Sequence, residues 1–272
     1  MTTPATATRR RLVLLCATVA AAGYACGGGG GHGAASPQPT TTAPATTQAP
    51  ATTQPAPSVP DISEVPRPAN VRDESFQWFS HPSGGGTEEL IGVKRQAGPG
   101  PHPAALLVPA SGGLNTDYLP FAEELSARGF DVVVGCWFNT VDVPDPDHVN
   151  IPCNGAPAFK GVVDAAVPDL DALVEAAHHA VGATPLFLVG FSRGAGITAL
   201  RASGGAPEPV VLVSGQYEGW NGLGSTVPGG EVDVIQRIAG WRAPALILHG
   251  TADGAVPDSQ ARHLEAALRA RG

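Results

Sequence analysis

The sequence predicts an α/β fold: a mostly parallel sheet with helices on both faces. Three observations carry that expectation. Short apolar runs without polar alternation recur at Ala104–Val108, Asp131–Gly135, Leu186–Gly190, Pro209–Val213 and Ala245–Leu248. Segments of helical spacing separate several of these runs. One run, Leu186-Phe187-Leu188-Val189, leads straight into Gly190-Phe191-Ser192-Arg193-Gly194 and then a small-residue stretch. That is how a strand, a sharp turn and a helix read in one line.

The first elements precede that sheet. Residues 1–25 read as an export signal: Arg9, Arg10 and Arg11, then an apolar stretch from Leu12 to Ala22. The stretch is too short to span a bilayer as a helix. Gly23-Tyr24-Ala25 precedes Cys26, as in a bacterial lipoprotein signal whose cysteine becomes the lipidated N-terminus; simple cleavage after Ala25 is the rival reading. Thr8-Arg9-Arg10-Arg11-Leu12 also looks like a twin-arginine signal. Residues 26–60 follow as the Cys26 anchor and a tether of Gly, Thr, Pro and Ala, which cannot bury enough surface to offset its ordering entropy. The expected placement is outside the cytoplasmic membrane, anchored through Cys26, with secretion as the alternative.

Residues 61–272 read as the folded domain, C-terminally short. Phe76–Ser80 and Glu89–Arg95 flank the turn Pro82-Ser83-Gly84-Gly85-Gly86, a hairpin in outline. Tyr118–Ala127 has helical spacing and Gly129 stops it. Residues 138–158 form a loop rich in Pro and Asp. Apolar residues at 163, 167, 170, 174, 177 and 181 predict a helix starting or kinking at Pro168. A last helix begins near Asp258. Ligands in such sheets bind beyond the carboxyl ends of the strands. Ser111-Gly112-Gly113, Cys136-Trp137, Ser192 and the loop after Leu248 are thereby placed on one rim.

Composition excludes other functions. The chain carries a net charge of −8 over 272 residues and shows no basic patch, so nucleic acid is not an expected partner. Histidine, cysteine and acid spacings match no metal site, and no phosphate loop is present. His178 and His179 are adjacent and diverge by about 100° on a helix. Asp142, Asp145, Asp147 and His148 read as a solvated acidic loop. No cofactor is expected. Once Cys16 leaves with the leader, Cys26, Cys136 and Cys153 remain. A lipidated Cys26 would leave Cys136 and Cys153 free to pair, closing a loop that would add about 3 kcal/mol; two unpaired thiols are the other reading.

From about Phe76 to Gly272 the chain resembles the α/β-hydrolases, and within them the dienelactone-hydrolase-like branch. The resemblance is carried by Val108-Pro109-Ala110-Ser111-Gly112-Gly113-Leu114-Asn115, by Gly190-Phe191-Ser192-Arg193-Gly194 and by His249-Gly250-Thr251-Ala252-Asp253. Pro109-Ala110 stands where the family often has His-Gly. The resemblance implies Ser192 as nucleophile, N–H groups of Arg193 and of Ser111 or Gly112 as the oxyanion hole, and Asp253 as the acid that orients a histidine. Trp137, Tyr217 and Trp220 are the expected pocket residues, with a role in covering the sheet as the alternative for Tyr217 and Trp220.

The family's histidine follows its acid after one more helix and strand. Here 19 residues follow Asp253 and read as the helix alone. The expected fold therefore lacks the last strand and leaves a sheet edge unpaired. His263 is the only histidine after Asp253 and the candidate base; a surface histidine is the competing reading. The function expected is an exported serine hydrolase of carboxylic esters, impaired by absence of that histidine, acting on a small-molecule ester. A serine peptidase on the same fold and a non-catalytic lipid-anchored binding protein are the alternatives.

Overall fold

The computed structural model describes residues 62–83, 88–97, 101–137, 151, 166–182, 185–218 and 233–271. The leader, Cys26, the tether, the acidic loop, Cys153 and Trp220 lie outside the described residues. Among the described residues no helix is long and apolar enough to cross a membrane, and no cluster of three or more His, Cys, Asp or Glu could hold a metal ion.

Eight strands form one sheet: β1 Ser63–Val65, β2 Gln77–Pro82, β3 Glu88–Lys94, β4 Ala104–Val108, β5 Asp131–Gly135, β6 Leu186–Phe191, β7 Val210–Val213 and β8 Ala245–Leu248. Their order is β1-β2-β3-β5-β4-β6-β7-β8. The first three strands pair antiparallel, β3 joins β5 antiparallel, and all later neighbours are parallel. β1 is not anticipated by the sequence, because three half-polar residues carry no pattern. β4 and β5 are buried at every position, which is why they read as unbroken apolar runs.

Among the described residues four α-helices pack on this sheet: α1 Tyr118–Ser126, α2 Val167–Val181, α3 Arg193–Ser203 and α4 Ser259–Arg271. Alternate strand residues point to opposite faces. Ala105, Leu107, Val132 and Val134 meet α1 through Leu119, Phe121 and Leu125. Leu106, Val108 and Val133 meet α2 and α3, and Leu264 of α4 joins the same cluster. Pro168 lies in the first turn of α2, where its missing N–H costs no helical bond. Gly129, at φ 92°, turns the chain from α1 into β5.

One partly exposed charge network ties α2 to α3. Arg201 Nε donates to Asp171 at 2.6 Å and Arg201 Nη1 to Glu208 at 2.6 Å. His178 lies 3.5 Å from the same Glu208 carboxylate. Burial alone would raise Glu208; hydrogen bonds from His178 and Arg201, with the arginine charge, override it and hold the carboxyl at about 2.

The rim is set by where the strand order reverses. From β4 the chain passes through α1 to β5 on one side, and β6 then falls on the other side of β4. The crevice of such a sheet opens beyond the carboxyl ends at that reversal. The loop after β4 and the turn after β6 meet there.

Candidate functional site

Ser192 sits between β6 and α3 at φ 50°, ψ −111°, one of two non-glycine residues with positive φ among those described. Such a conformation persists where the surroundings over-determine it. Three contacts do so. Ser192 N–H donates to the Val213 carbonyl at 2.8 Å, and the Ala195 and Gly196 N–H groups donate back to the Ser192 carbonyl. A Cβ on Gly190 would stand 2.6 Å from the Ala195 Cα, and one on Gly194 would stand 2.2 Å from the Val108 carbonyl oxygen. The glycines of the pentapeptide are therefore required by contact. They let α3 close on β6 and on the end of β4. The hydroxyl stands at the N-terminus of an eleven-residue helix, where the peptide dipoles place positive partial charge.

The loop after β4 is fixed by its neighbours. Trp137 Nε1 donates to the Pro109 carbonyl at 2.9 Å. The Ala110 N–H donates to the Tyr118 hydroxyl at 2.8 Å. Burial pushes that phenol up to about 12, so it stays protonated. The Tyr118 ring meets Phe191 edge-on at 5.4 Å, which locks the loop to the residue before the nucleophile. Gly113, at φ 70°, closes a turn through its N–H to the Ala110 carbonyl. The Ser111 and Gly112 N–H groups make no backbone bond among the described residues. Two donors on one side and the first turn of α3 on the other can receive an oxyanion.

Asp253 follows β8. Its carboxylate accepts the Val256 and Ala255 N–H groups at 3.0 and 2.9 Å, and these bonds, with one from the Ser214 hydroxyl, hold its pKa below the usual carboxylate range. Ser214 is the second residue with positive φ, at 51°. Its N–H donates to the Leu248 carbonyl at 2.8 Å. Val213 and Ser214, consecutive residues at the end of β7, therefore clamp the nucleophile turn on one side and the acid's strand on the other. Ser192 and Asp253 end up two strands apart on one rim, a separation of about 10 Å.

Among the described residues the histidines do not bridge that gap. His263 Nδ1 meets Glu218 Oε2 at 2.6 Å, on the exposed side of α4. Gln260, one turn earlier, accepts the Tyr217 and Glu218 N–H groups at 2.7 and 2.8 Å. His263 thus fastens α4 to the loop after β7 and partners Glu218. His249 lies nearer the acid: its Nε2 is 3.6 Å from Asp253 Oδ2. That nitrogen donates to the Val256 carbonyl at 2.8 Å, and the side chain is 4% exposed. Among the described residues no imidazole hydrogen-bonds the Ser192 hydroxyl. Ser214 and Glu218 carry no sequence signal of these roles, because each depends on a partner brought by another strand or helix; His249 finds its partners four and seven residues on, in its own loop.

Trp137 and Tyr217, expected along a pocket, are buried in the core. Trp137 supports the loop after β4 through its bond to the Pro109 carbonyl. Cys136 is buried and disulfide-bonded; with Cys153 outside the described residues, that pairing stays a proposal. Arg193 is buried behind the turn, and burial pushes its guanidinium down to about 10.

No family model and no curated protein matches the chain. Solved structures do. A protein described as a dienelactone hydrolase from Klebsiella pneumoniae is 20% identical at a TM-score of 0.53, covering 78% of this chain and 81% of its own. The esterase Pf2001 of Pyrococcus furiosus is 14% identical at 0.54, covering 72% and 78%. Est1E of Butyrivibrio proteoclasticus, solved with ferulic acid bound, is 14% identical at 0.51, covering 67% and 82%. At such identities the likeness is one of fold. With its mostly parallel eight-stranded sheet and helices on both faces, the chain has the α/β-hydrolase fold.

Proposed function

We propose that the protein is a serine hydrolase of carboxylic esters, with Ser192 as nucleophile. One observation carries the reading: Ser192 is held at positive φ between a strand and a helix N-terminus, beside a loop with two N–H donors. Ser192 Oγ attacks the ester carbonyl carbon. The carbonyl oxygen takes negative charge, stabilised by N–H groups of Ser111 or Gly112 and of Arg193. The carbon–oxygen bond to the alcohol breaks as the serine proton passes through water to the departing oxygen, so an alcohol leaves, and a second water later cleaves the acyl-enzyme to the free acid and serine. Esters are favoured over peptides here. An ester's oxygen is a better leaving group than an amide's nitrogen, so ester cleavage depends less on a positioned proton donor. Fold neighbours named as esterases support the same choice by analogy alone.

Turnover is expected to be slow, on the order of 10⁴ to 10⁶ below that of a complete triad. The test is nitrophenyl acetate and butyrate hydrolysis by the full chain, Ser192→Ala and His263→Ala. Slow release that disappears in Ser192→Ala and survives in His263→Ala is expected. Robust turnover abolished by His263→Ala would make His263 the base. Release equal in wild type and Ser192→Ala would favour the binding-protein reading.

The leader before Cys26 supports placement outside the cytoplasmic membrane through a lipid on that cysteine. Cys26→Ala should move the protein into soluble fractions. Retention of the variant on membranes would refute the anchor.

A further inference from the structure

Tyr118, the first residue of α1, grips the loop after β4 at both ends. Its hydroxyl accepts the Ala110 N–H at 2.8 Å, and its own N–H donates to the Asn115 carbonyl at 3.3 Å. Ser111, Gly112, Gly113 and Leu114 lie between those two points. The Ala110 carbonyl accepts from Gly113, and the Leu114 carbonyl accepts from Ile151, each at 2.9 Å. Pro109 gives its carbonyl to Trp137. The Ser111 and Gly112 N–H groups keep no backbone acceptor among the described residues.

Those bonds decide where the Ser111 donor points. The Ala110 carbonyl and the Ser111 N–H belong to one planar trans peptide, so they point in opposite directions. Ala110 is therefore fixed on both sides, its N–H by the Tyr118 hydroxyl and its carbonyl by Gly113. Removing the hydroxyl would leave a part-buried N–H without its acceptor, a costly state that the loop relieves by turning. The Ser111 peptide turns with it. The ring of the same residue fixes the second distance that matters. It meets Phe191 edge-on at 5.4 Å, and Phe191 precedes Ser192. Phe121 meets Phe191 edge-on as well, at 5.2 Å, and has no part in the Ala110 bond. Burial keeps the phenol protonated, so no negative charge stands beside the loop to repel an oxyanion.

We infer that Tyr118 is a positioning residue for the ester hydrolysis proposed above, an inference that rests on that reading: through Ala110 its hydroxyl aims the Ser111 and Gly112 donors, and through Phe191 its ring sets their distance from Ser192.

Tyr118→Phe removes one oxygen and keeps the ring against Phe191. Wild type, Tyr118→Phe and Phe121→Leu are compared by fluorophosphonate labelling of Ser192 and by nitrophenyl butyrate hydrolysis. In Tyr118→Phe both the labelling rate and kcat should fall about tenfold to a hundredfold, with KM and circular dichroism as in the wild type. Phe121→Leu loosens the packing on Phe191 and leaves the Ala110 bond, so it should label at close to the wild-type rate. Amide exchange in the wild type reads the same bond without a substitution, and decides the matter if Tyr118→Phe does not fold. Ala110 should be protected, while Ser111 and Gly112 exchange freely until phosphonylation of Ser192 protects one of them. Labelling of Tyr118→Phe as fast as wild type overturns the inference and leaves the esterase reading standing. An equal loss in Phe121→Leu, a loss confined to KM, or an Ala110 amide that exchanges as fast as Ser111 overturns it too. A wild type that is not labelled at Ser192 removes the nucleophile, and this inference with it.

Discussion

Gly194→Ala is expected to leave little folded protein. The added methyl would stand 2.2 Å from the Val108 carbonyl oxygen and 2.5 Å from that of Pro109, both backbone atoms. Neither can rotate away, so the end of β4 must move off α3, and the oxyanion loop moves with it. Gly194 does not have positive φ, so the penalty is steric and not conformational. A cost of about 3 kcal/mol or more follows from overpacking at such a contact. Gly254→Ala is the matched control, since nothing lies within 4 Å of a Cβ there. Urea unfolding of the two variants separates them: Gly254→Ala should unfold near the wild-type midpoint, and Gly194→Ala far below it or not be recovered. Equal midpoints would show that the pentapeptide glycines are not required by contact.

Glu89→Gln is expected to stabilise the protein strongly in alkaline solution and hardly at all in acid. Glu89 lies on β3 opposite His81 on β2, and the two are 4% and 0% exposed. Among the described residues neither Glu89 oxygen finds a hydrogen-bond partner. Burial first, and the nearby Asp169 charge second, push its carboxyl up to about 8 from an ordinary 4.5. The folded state therefore holds this proton more tightly than the unfolded state. The glutamate is well tolerated below about pH 4.5; stability falls as pH rises through the interval to about 8, and then levels off. Glutamine carries no charge at any of these values. The variant should gain on the order of 4 kcal/mol at pH 9, about 10 °C in melting temperature, and almost nothing at pH 4. A gain that does not change between pH 4 and pH 9 would mean that Glu89 is ionised throughout.

Much of the fold is legible in the sequence because the inner strands are covered on both faces. β4, β5 and β8 appear in the chain as the apolar runs Ala104–Val108, Asp131–Gly135 and Ala245–Leu248, with the bounds the structure gives them. The same simplicity hides what distinguishes them. Ala245–Leu248 reads like any buried strand, yet it is half-buried to exposed and lies at the sheet's edge among the described residues, because exposure depends on a neighbour that the local pattern does not name. β1 is silent for the opposite reason: three residues, Ser63, Glu64 and Val65, join the sheet through backbone bonds to β2 rather than through an apolar face.

The site divides in the same way. Ser192 is legible since the turn needs Gly190 and Gly194 within two residues of it, and Asp253 since it follows a strand and a tight turn. Partners across elements are not legible. That His263 on α4 meets Glu218 and that Ser214 bonds the Leu248 carbonyl and Asp253 are products of the segments after β7 and β8 lying side by side. Trp137 shows the limit most plainly. An aromatic residue just past a strand's carboxyl end suggests a pocket wall, but its indole N–H is taken by Pro109 and the ring is buried beneath the loop.

The central claim is that Ser192 is a nucleophile activated by its place at the head of α3. Treating the full chain with a fluorophosphonate and mapping the adduct by peptide mass tests it most directly. The account predicts time-dependent phosphonylation of Ser192, absent from Ser192→Ala. No adduct after prolonged exposure, or an adduct on another serine with Ser192 intact, would contradict it.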